Sequence, residues 1–463
     1  MDIALAVIAF ALIFVHLLSI GLTAVRVKST ARGSAAQQNQ PPVSLVVPLR
    51  GVENFTALTI PHAFQLDWPN YEIIFCVADS ADPVIPHVKS NIAAFPHIQA
   101  TLLLGDDRIS ANPKLNNCVK GWRAATSEWV ILADSNVLMP DHYITTLMGA
   151  WRKDSGLVCS PPLGSRPADI WSELECTFLN TFQCRYQYAA ETLGQGFAQG
   201  KTMLWNKPLL DSLGGIEALG AEIAEDAAAT KLIRASGRKV HLAPAPFEQP
   251  LGTRSFAEVW SRQARWARLR RVTFPQFFAP EILVGGIPPL LLALAAAMLA
   301  GADSKTIVAI TVAILGLFYL PELALAKLKG WHVSWTSLSN RDHAGRVATA
   351  HLGKKLDGVF SLMAWQHDDR WNARKHAKRL ITAEACGDRA RKQGFASSSG
   401  SGGPALFRQA FCPACSCRSC ASSSPAISTS CPPRWTCSST RVGRKLLPRT
   451  NSIALLRESN ISL

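Results

Sequence analysis

Apolar residues along this 463-residue chain fall into two kinds of run, long and short. Residues 3–25, 282–300 and 307–326 are almost continuously hydrophobic. The first is long enough to cross the roughly 30 Å hydrocarbon core of a bilayer. It lacks the charged leading segment and small-residue cleavage site of a removable leader, so it is expected to be a permanent anchor. The other two, separated by the polar hinge 301–305, predict a helical hairpin in the membrane. Pro288, Pro289, Pro321 and Glu322 make that hairpin irregular, which segments buried against protein tolerate. Between anchor and hairpin the runs are short and β-branched: Val43-Ser-Leu-Val-Val-Pro48, Tyr71-Glu-Ile-Ile-Phe-Cys-Val77, residues 97–104 and Trp129-Val-Ile-Leu-Ala133. They predict buried strands, with helices over 86–95 and 115–125 between them. Strands alternating with helices at this spacing imply an α/β fold with a mostly parallel sheet. The chain divides accordingly into an anchor (1–27), a linker (28–42), an α/β domain (43–281), the hairpin (282–330) and a tail (331–463).

The net charge of +15 changes this picture only at the C-terminus. Residues 341–463 carry 20 of the 48 Lys and Arg but 7 of the 33 Asp and Glu, so the rest is close to neutral. A nucleic-acid partner, the usual reading of a basic chain, therefore rests on the tail alone and is not expected. Basic residues flank the hydrophobic runs: Arg26, Lys28 and Arg32; Arg268, Arg270 and Arg271; Lys327 and Lys329. By the positive-inside rule they place the α/β domain on the cytoplasmic side. Cys76, Cys118, Cys159, Cys176 and Cys184 stand in apolar surroundings without disulfide spacing, as expected of buried thiols in a reducing compartment.

In parallel sheets ligands bind beyond the carboxyl ends of the strands. Asp79 and Asp134 each follow such an end, so both should face one crevice. A lone Asp there is more often a turn residue; two at equivalent places favour function. Asp134-Ser135-Asn136 supplies a carboxylate and an amide oxygen, suited to a hard divalent cation on a diphosphate, though the tripeptide is also a good turn. Asp226 lies in the first turn of a predicted helix, where acid is electrostatically ordinary; as chemistry, it is a candidate general base. Arg262, Arg265 and Trp266, three and four apart, share a helix face. They fit either a basic helix on the bilayer surface or guanidinium groups closing over a diphosphate.

Taken in order, these pieces resemble the ceramide glucosyltransferase family, inverting enzymes of GT-A fold. The likeness runs through Val43-Ser-Leu-Val-Val-Pro-Leu-Arg-Gly51, Leu66-Asp-Trp-Pro-Asn-Tyr-Glu72, Cys76-Val-Ala-Asp79-Ser-Ala-Asp82, Asn112-Pro-Lys114-Leu-Asn116, Ala224-Glu-Asp226 and Arg262-x-x-Arg265-Trp266, over residues 1–330. It implies a nucleotide contact at Asp79 with Asp82 beside it, a diphosphate contact at Lys114, and metal and diphosphate binding at Asp134 with Asn136. It also implies a catalytic base at Asp226 and an acceptor or diphosphate role for Arg262, Arg265 and Trp266. The expected cofactor is a divalent metal, Mg2+ or Mn2+. The expected partners are a UDP-sugar donor, a membrane lipid acceptor, ceramide first, and the bilayer of a bacterial inner membrane. Asn136 stands where a strict Asp-x-Asp has its second acid. Residues 196–203, Gly-Phe-Ala-Gln-Gly-Lys-Thr-Met, fall at the family's acceptor loop but differ in detail, which keeps a hopanoid polyol or diacylglycerol acceptor, and galactose, glucuronate or N-acetylglucosamine as the sugar, among the alternatives. A scaffold with a decayed site is the alternative of another class.

The tail fits none of this. Cys412-x-x-Cys415 and Cys417-x-x-Cys420 have zinc-like spacing, but the Ser-rich basic surroundings lack any core pattern. Back-translated and read one base earlier, residues 363–374 give Trp-Arg-Gly-Asn-Thr-Met-Thr, resembling the ending of bacterial family members. A frameshift near residues 335–342 is the expectation that follows; sequencing the gene there tests it.

Overall fold

The computed structural model describes residues 1–27, 40–281, 283 and 285–334. Most of the linker, the cysteine-rich tail and the expected frameshift point lie outside these residues. In chain order the elements are α1 (Asp2–Arg26), β1 (Val43–Leu49), α2 (Thr56–His62), β2 (Tyr71–Val77), α3 (Ile85–Ala94), β3 (Gln99–Leu104), α4 (Pro113–Ala124), β4 (Trp129–Ala133), α5 (Tyr143–Ala150), β5 (Ser155–Cys159), β6 (Pro162–Pro167) and α6 (Ile170–Thr177). A π-helix, Phe178–Cys184, runs into α7 (Arg185–Thr192), followed by β7 (Thr202–Asn206), α8 (Lys207–Ser212), a 3-10 turn (Ile216–Ala221), α9 (Glu225–Ala235), β8 (Lys239–Leu242) and β9 (Phe247–Gly252). Four helices close the described chain: α10 (Phe256–Thr273), α11 (Pro275–Glu281), α12 (Ile287–Leu299) and α13 (Ser304–Lys329).

Seven strands form the main sheet in the order β3-β2-β1-β4-β7-β5-β8. All neighbours run parallel except β7, which is antiparallel to both β4 and β5. All seven residues of β1 are buried, as expected of a strand covered on both faces. Val46 points into one apolar layer with Leu115, Val119 and Trp122 of α4 and Ile233 of α9. Leu45 and Val47 point into the other, with Ile60, Val88 and Leu147 from α2, α3 and α5. A second, two-stranded parallel sheet pairs β6 with β9.

The apolar helices are continuous with this core. Ile20 and Val27, with Leu325, Ala326 and Trp331, belong to the same buried cluster as α4 and α9. Two helices, α1 and α13, are long and apolar enough to cross a membrane. The predicted first hairpin helix is shorter than its apolar run: α12 spans 13 residues, about 20 Å at 1.5 Å per residue, short of the ~30 Å hydrocarbon core. Its start is fixed by Gly285, at φ +131°, and by Pro288 and Pro289 in its first turn, where the missing N–H groups cost no helical hydrogen bond.

Candidate active site

The ends of β1, β2 and β4 lie along one edge of the sheet, and the antiparallel β7 brings a further segment to it. Ala133 pairs with Thr202 in the β4–β7 ladder, and the Asp134 N–H donates to the Lys201 carbonyl at 2.9 Å. Asp134 and Lys201, far apart in sequence, are thus neighbours by register.

Asp134 is buried, and each of its oxygens meets a lysine. Oδ1 lies 2.6 Å from Lys114 Nζ and Oδ2 2.8 Å from Lys201 Nζ. Lys114 is in the first turn of α4, where the Asn112 side chain caps the helix by accepting from the Lys114 and Leu115 N–H groups. The Lys114 ammonium also reaches Glu225 Oε1 at 2.7 Å and the Gly200 carbonyl at 2.5 Å. Asn112 Nδ2 donates to the other Glu225 oxygen at 2.6 Å. Lys201 Nζ donates to Asn136 Oδ1 at 3.1 Å, and Asn136 Nδ2 to Glu53 at 3.3 Å. Burial pushes the Asp134 carboxyl up, but the two ammonium groups outweigh it and hold it below its ordinary value. Burial likewise lowers Lys114, and Asp134 and Glu225 more than reverse that, so it stays charged.

Asp226 stands next to Glu225 in the first turn of α9. Its Oδ2 accepts from the Gly200 N–H at 3.2 Å and its Oδ1 from the Ala227 N–H at 2.8 Å. Burial first and the Glu225 charge second push its pKa up to about 6, with Lys114 and the two N–H groups opposing. Gly200 sits where these groups converge: a Cβ there would lie 2.7 Å from Glu225 Oε1 and 3.1 Å from Lys114 Nζ. A side chain there would push the Glu225 carboxylate from its present place.

The remaining sequence-predicted residues are placed differently. Asp82 accepts from the N–H groups of Gly51 (2.9 Å) and Val84 (2.9 Å), tying the loop after β1, where Gly51 has φ +67°, to the loop after β2. Asp79 is exposed at the same edge, its Oδ1 accepting from the Ala81 N–H. Arg262 is buried and bonded at 2.6 Å to Glu175 of α6, which Arg254 also approaches at 3.6 Å. Trp266 packs against Cys176, Leu179 and Leu251. The Arg265 Nε is buried without a hydrogen-bond partner among the described residues, and burial plus the nearby Arg262 lower its pKa. A small cleft is lined by Glu53, Ser135, Asn136 and Arg254. The structure therefore gathers Lys114, Asp134, Asn136 and Asp226 into one hydrogen-bonded group, whereas the contacts of Arg262 and Trp266 are with Glu175 and with Cys176, Leu179 and Leu251. Sequence reading missed Lys201, Glu53 and the partner role of Glu225. Glu53 follows β1 at the crevice edge and was open to the argument used for Asp79. Lys201 was not, since its place depends on β7.

The model of glycosyl transferase family 21 matches residues 11–340. The chain belongs to that family. Its largely parallel α/β sheet is the GT-A fold that the resemblance implied. Among similar proteins, ceramide glucosyltransferase 1 of Caenorhabditis elegans is 28% identical over 247 residues, covering 52% of this chain and 53% of that protein. Ceramide glucosyltransferase 3 of the same organism is 24% identical over 286 residues, covering 61% of each. The family 21 chain thus spans little more than half the length of these relatives. A solved structure, the mannosyltransferase PcManGT from Pyrobaculum calidifontis in complex with GDP-Man and Mn2+, is 18% identical, covering 73% of this chain and 98% of that one, with a TM-score of 0.46.

Proposed function

We propose that this family 21 protein transfers glucose from UDP-glucose to the primary hydroxyl of ceramide, with inversion, at the cytoplasmic face of a bacterial inner membrane. One observation carries the reading: Asp226, with a pKa of about 6, belongs to the same hydrogen-bonded group as two lysines. A base and fixed positive charge, held together, are what glycosyl transfer to an alcohol needs. Asp226 takes the proton as the hydroxyl oxygen attacks the anomeric carbon. The bond from that carbon to the diphosphate oxygen breaks on the opposite side, and positive groups stabilise the departing anion. One base suffices, because no glycosyl-enzyme forms. Asp79 and Asp82, at the end of β2, are assigned to the nucleotide.

The divalent cation expected at Asp134 does not fit the residues present as they stand. Both Asp134 oxygens and the Asn136 oxygen already accept from ammonium groups. The membrane side of the reading is supported by the ends of α1 and α13. Lys329 Nζ donates to the Val27 carbonyl at 2.6 Å, so both helices end beside the α/β domain with their basic residues.

The test is expression in a host without ceramide, fed ceramide, diacylglycerol or a hopanoid polyol, with lipid mass spectrometry. Hexosylceramide should appear with the unaltered chain and vanish with Asp226→Asn. Product unchanged by that substitution removes Asp226 as base; product on another lipid alone removes ceramide as acceptor.

A further inference from the structure

Two lysines meet one carboxylate in this site, and they are not equivalent. An ammonium group has three N–H donors. Lys114 uses all three on protein acceptors: Asp134, Glu225 and the Gly200 carbonyl. It is held between two buried carboxylates and cannot turn to a ligand without abandoning one of them. Lys201 has two acceptors, Asp134 Oδ2 and Asn136 Oδ1, so one of its N–H groups has no partner among the described residues. Its side chain, 14% exposed, is at the mouth of the crevice, fixed there by the β4–β7 ladder.

We infer that Lys201 is the built-in cation that receives the donor's diphosphate, so that a nucleoside diphosphate binds without a divalent metal. This rests on the nucleotide-sugar reading above and deepens it. Three features carry it. Lys201 bridges Asp134 and Asn136, the pair at which the Asp-x-Asp-like tripeptide would hold a divalent ion. Asn136 contributes no negative charge, so an ion there would have one carboxylate of the tripeptide instead of two. Finally, a metal would have to displace two ammonium groups from Asp134, including the saturated Lys114. With Asp134 orienting it, the Lys201 ammonium needs little rearrangement to donate to a phosphate oxygen.

The experiment is equilibrium binding of UDP to the detergent-solubilised full chain, in excess EDTA and in Mn2+, with Mn2+ binding followed separately by electron paramagnetic resonance. The unaltered protein should bind UDP in EDTA within about threefold of its affinity in Mn2+. Lys201→Met should weaken binding in EDTA by about tenfold or more, the worth of one charge-assisted hydrogen bond. Lys201→Arg should retain most of it, which a role limited to folding would not predict once the thermal melts agree. If UDP binds only with Mn2+, and Lys201→Met binds Mn2+ and UDP as well as the unaltered protein does, Lys201 is merely the counter-ion of Asp134 and the inference falls alone. If UDP binds under neither condition, the nucleotide-sugar reading falls with it.

Discussion

Asp226 illustrates how one side chain is tuned by its neighbours. Its pKa of about 6 stems first from burial and then from Glu225. Because the ionised form is the base, kcat/KM should rise with pH through about 6 and level off above 7. Glu225→Gln removes a negative neighbour and leaves Lys114 closer to uncompensated. Both changes favour the Asp226 carboxylate, so the acid limb of the profile should move to lower pH. An acid limb that stays in place would assign the shift to burial alone. At this scale the sequence was partly legible. Asp134 could be read from its place after a strand and Asp226 from the first turn of a predicted helix, while Lys114 entered only through the family resemblance. The Lys201 partnership could not be read, because proximity across a sheet is set by register, not by distance along the chain.

Elements carry the next level of argument. Four strands could be read from apolar runs. Of these, β1, β2 and β4 are buried almost throughout, as strands covered on both faces are, whereas β3, expected to be buried, is the edge strand of the sheet and has no buried residue. The strands β5, β6 and β7 were not read: each has five or six residues, interrupted by Ser, Gly, Pro or Asn. The direction of β7 could not be inferred at all. The junction of α1 with the domain rests on Glu191 of α7, which accepts from Arg26 at 2.7 Å and lies 3.3 Å from His241 Nδ1. Burial pushes Glu191 up, but hydrogen bonds from His241 and Arg26 prevail and bring it to about 2. A carboxylate depressed from 4.5 in the unfolded chain adds stability that is fully present above pH 4.5 and lost as pH falls towards 2. Its size is at most about 3.5 kcal/mol, at ~1.4 kcal/mol per pKa unit. Glu191→Gln should therefore lower the Tm at pH 7 and flatten its fall between pH 4.5 and 3; a melt that keeps the unaltered pH dependence would release Glu191 from this role.

At the scale of the whole molecule, the apolar helices and the α/β domain share one core. Arg185 of α7 is almost fully buried and reaches α1 through Ser19, at 2.6 Å, and α13 through Glu322, at 3.2 Å. Thr23 of α1 returns a hydrogen bond to the Arg185 carbonyl at 2.9 Å. One guanidinium thus fastens three helices, two of them long and apolar enough to span a membrane. Removing one member of a buried pair leaves the other charge unmatched, at a cost of about 3–5 kcal/mol. Arg185→Met alone should lower the Tm in detergent substantially, while Arg185→Met combined with Glu322→Leu should recover much of the loss. No recovery in the double variant would mean that the contacts to α1, not the ion pair, dominate.

The antiparallel strand also has a consequence in time. β7 lies between β4 and β5, yet both are made before it. While the chain emerges from a ribosome, its first 200 residues hold two strands that cannot touch, with a gap one strand wide between them. That half-built sheet has open edges, the feature that invites pairing with other chains. Arrival of residues 202–206 closes the gap and delivers Lys201 to Asp134 in the same movement. Only afterwards do α9, with Asp226, and β8, on the far side of β5, follow, so the sheet is sealed at its middle before its edge and before the site's base is in place.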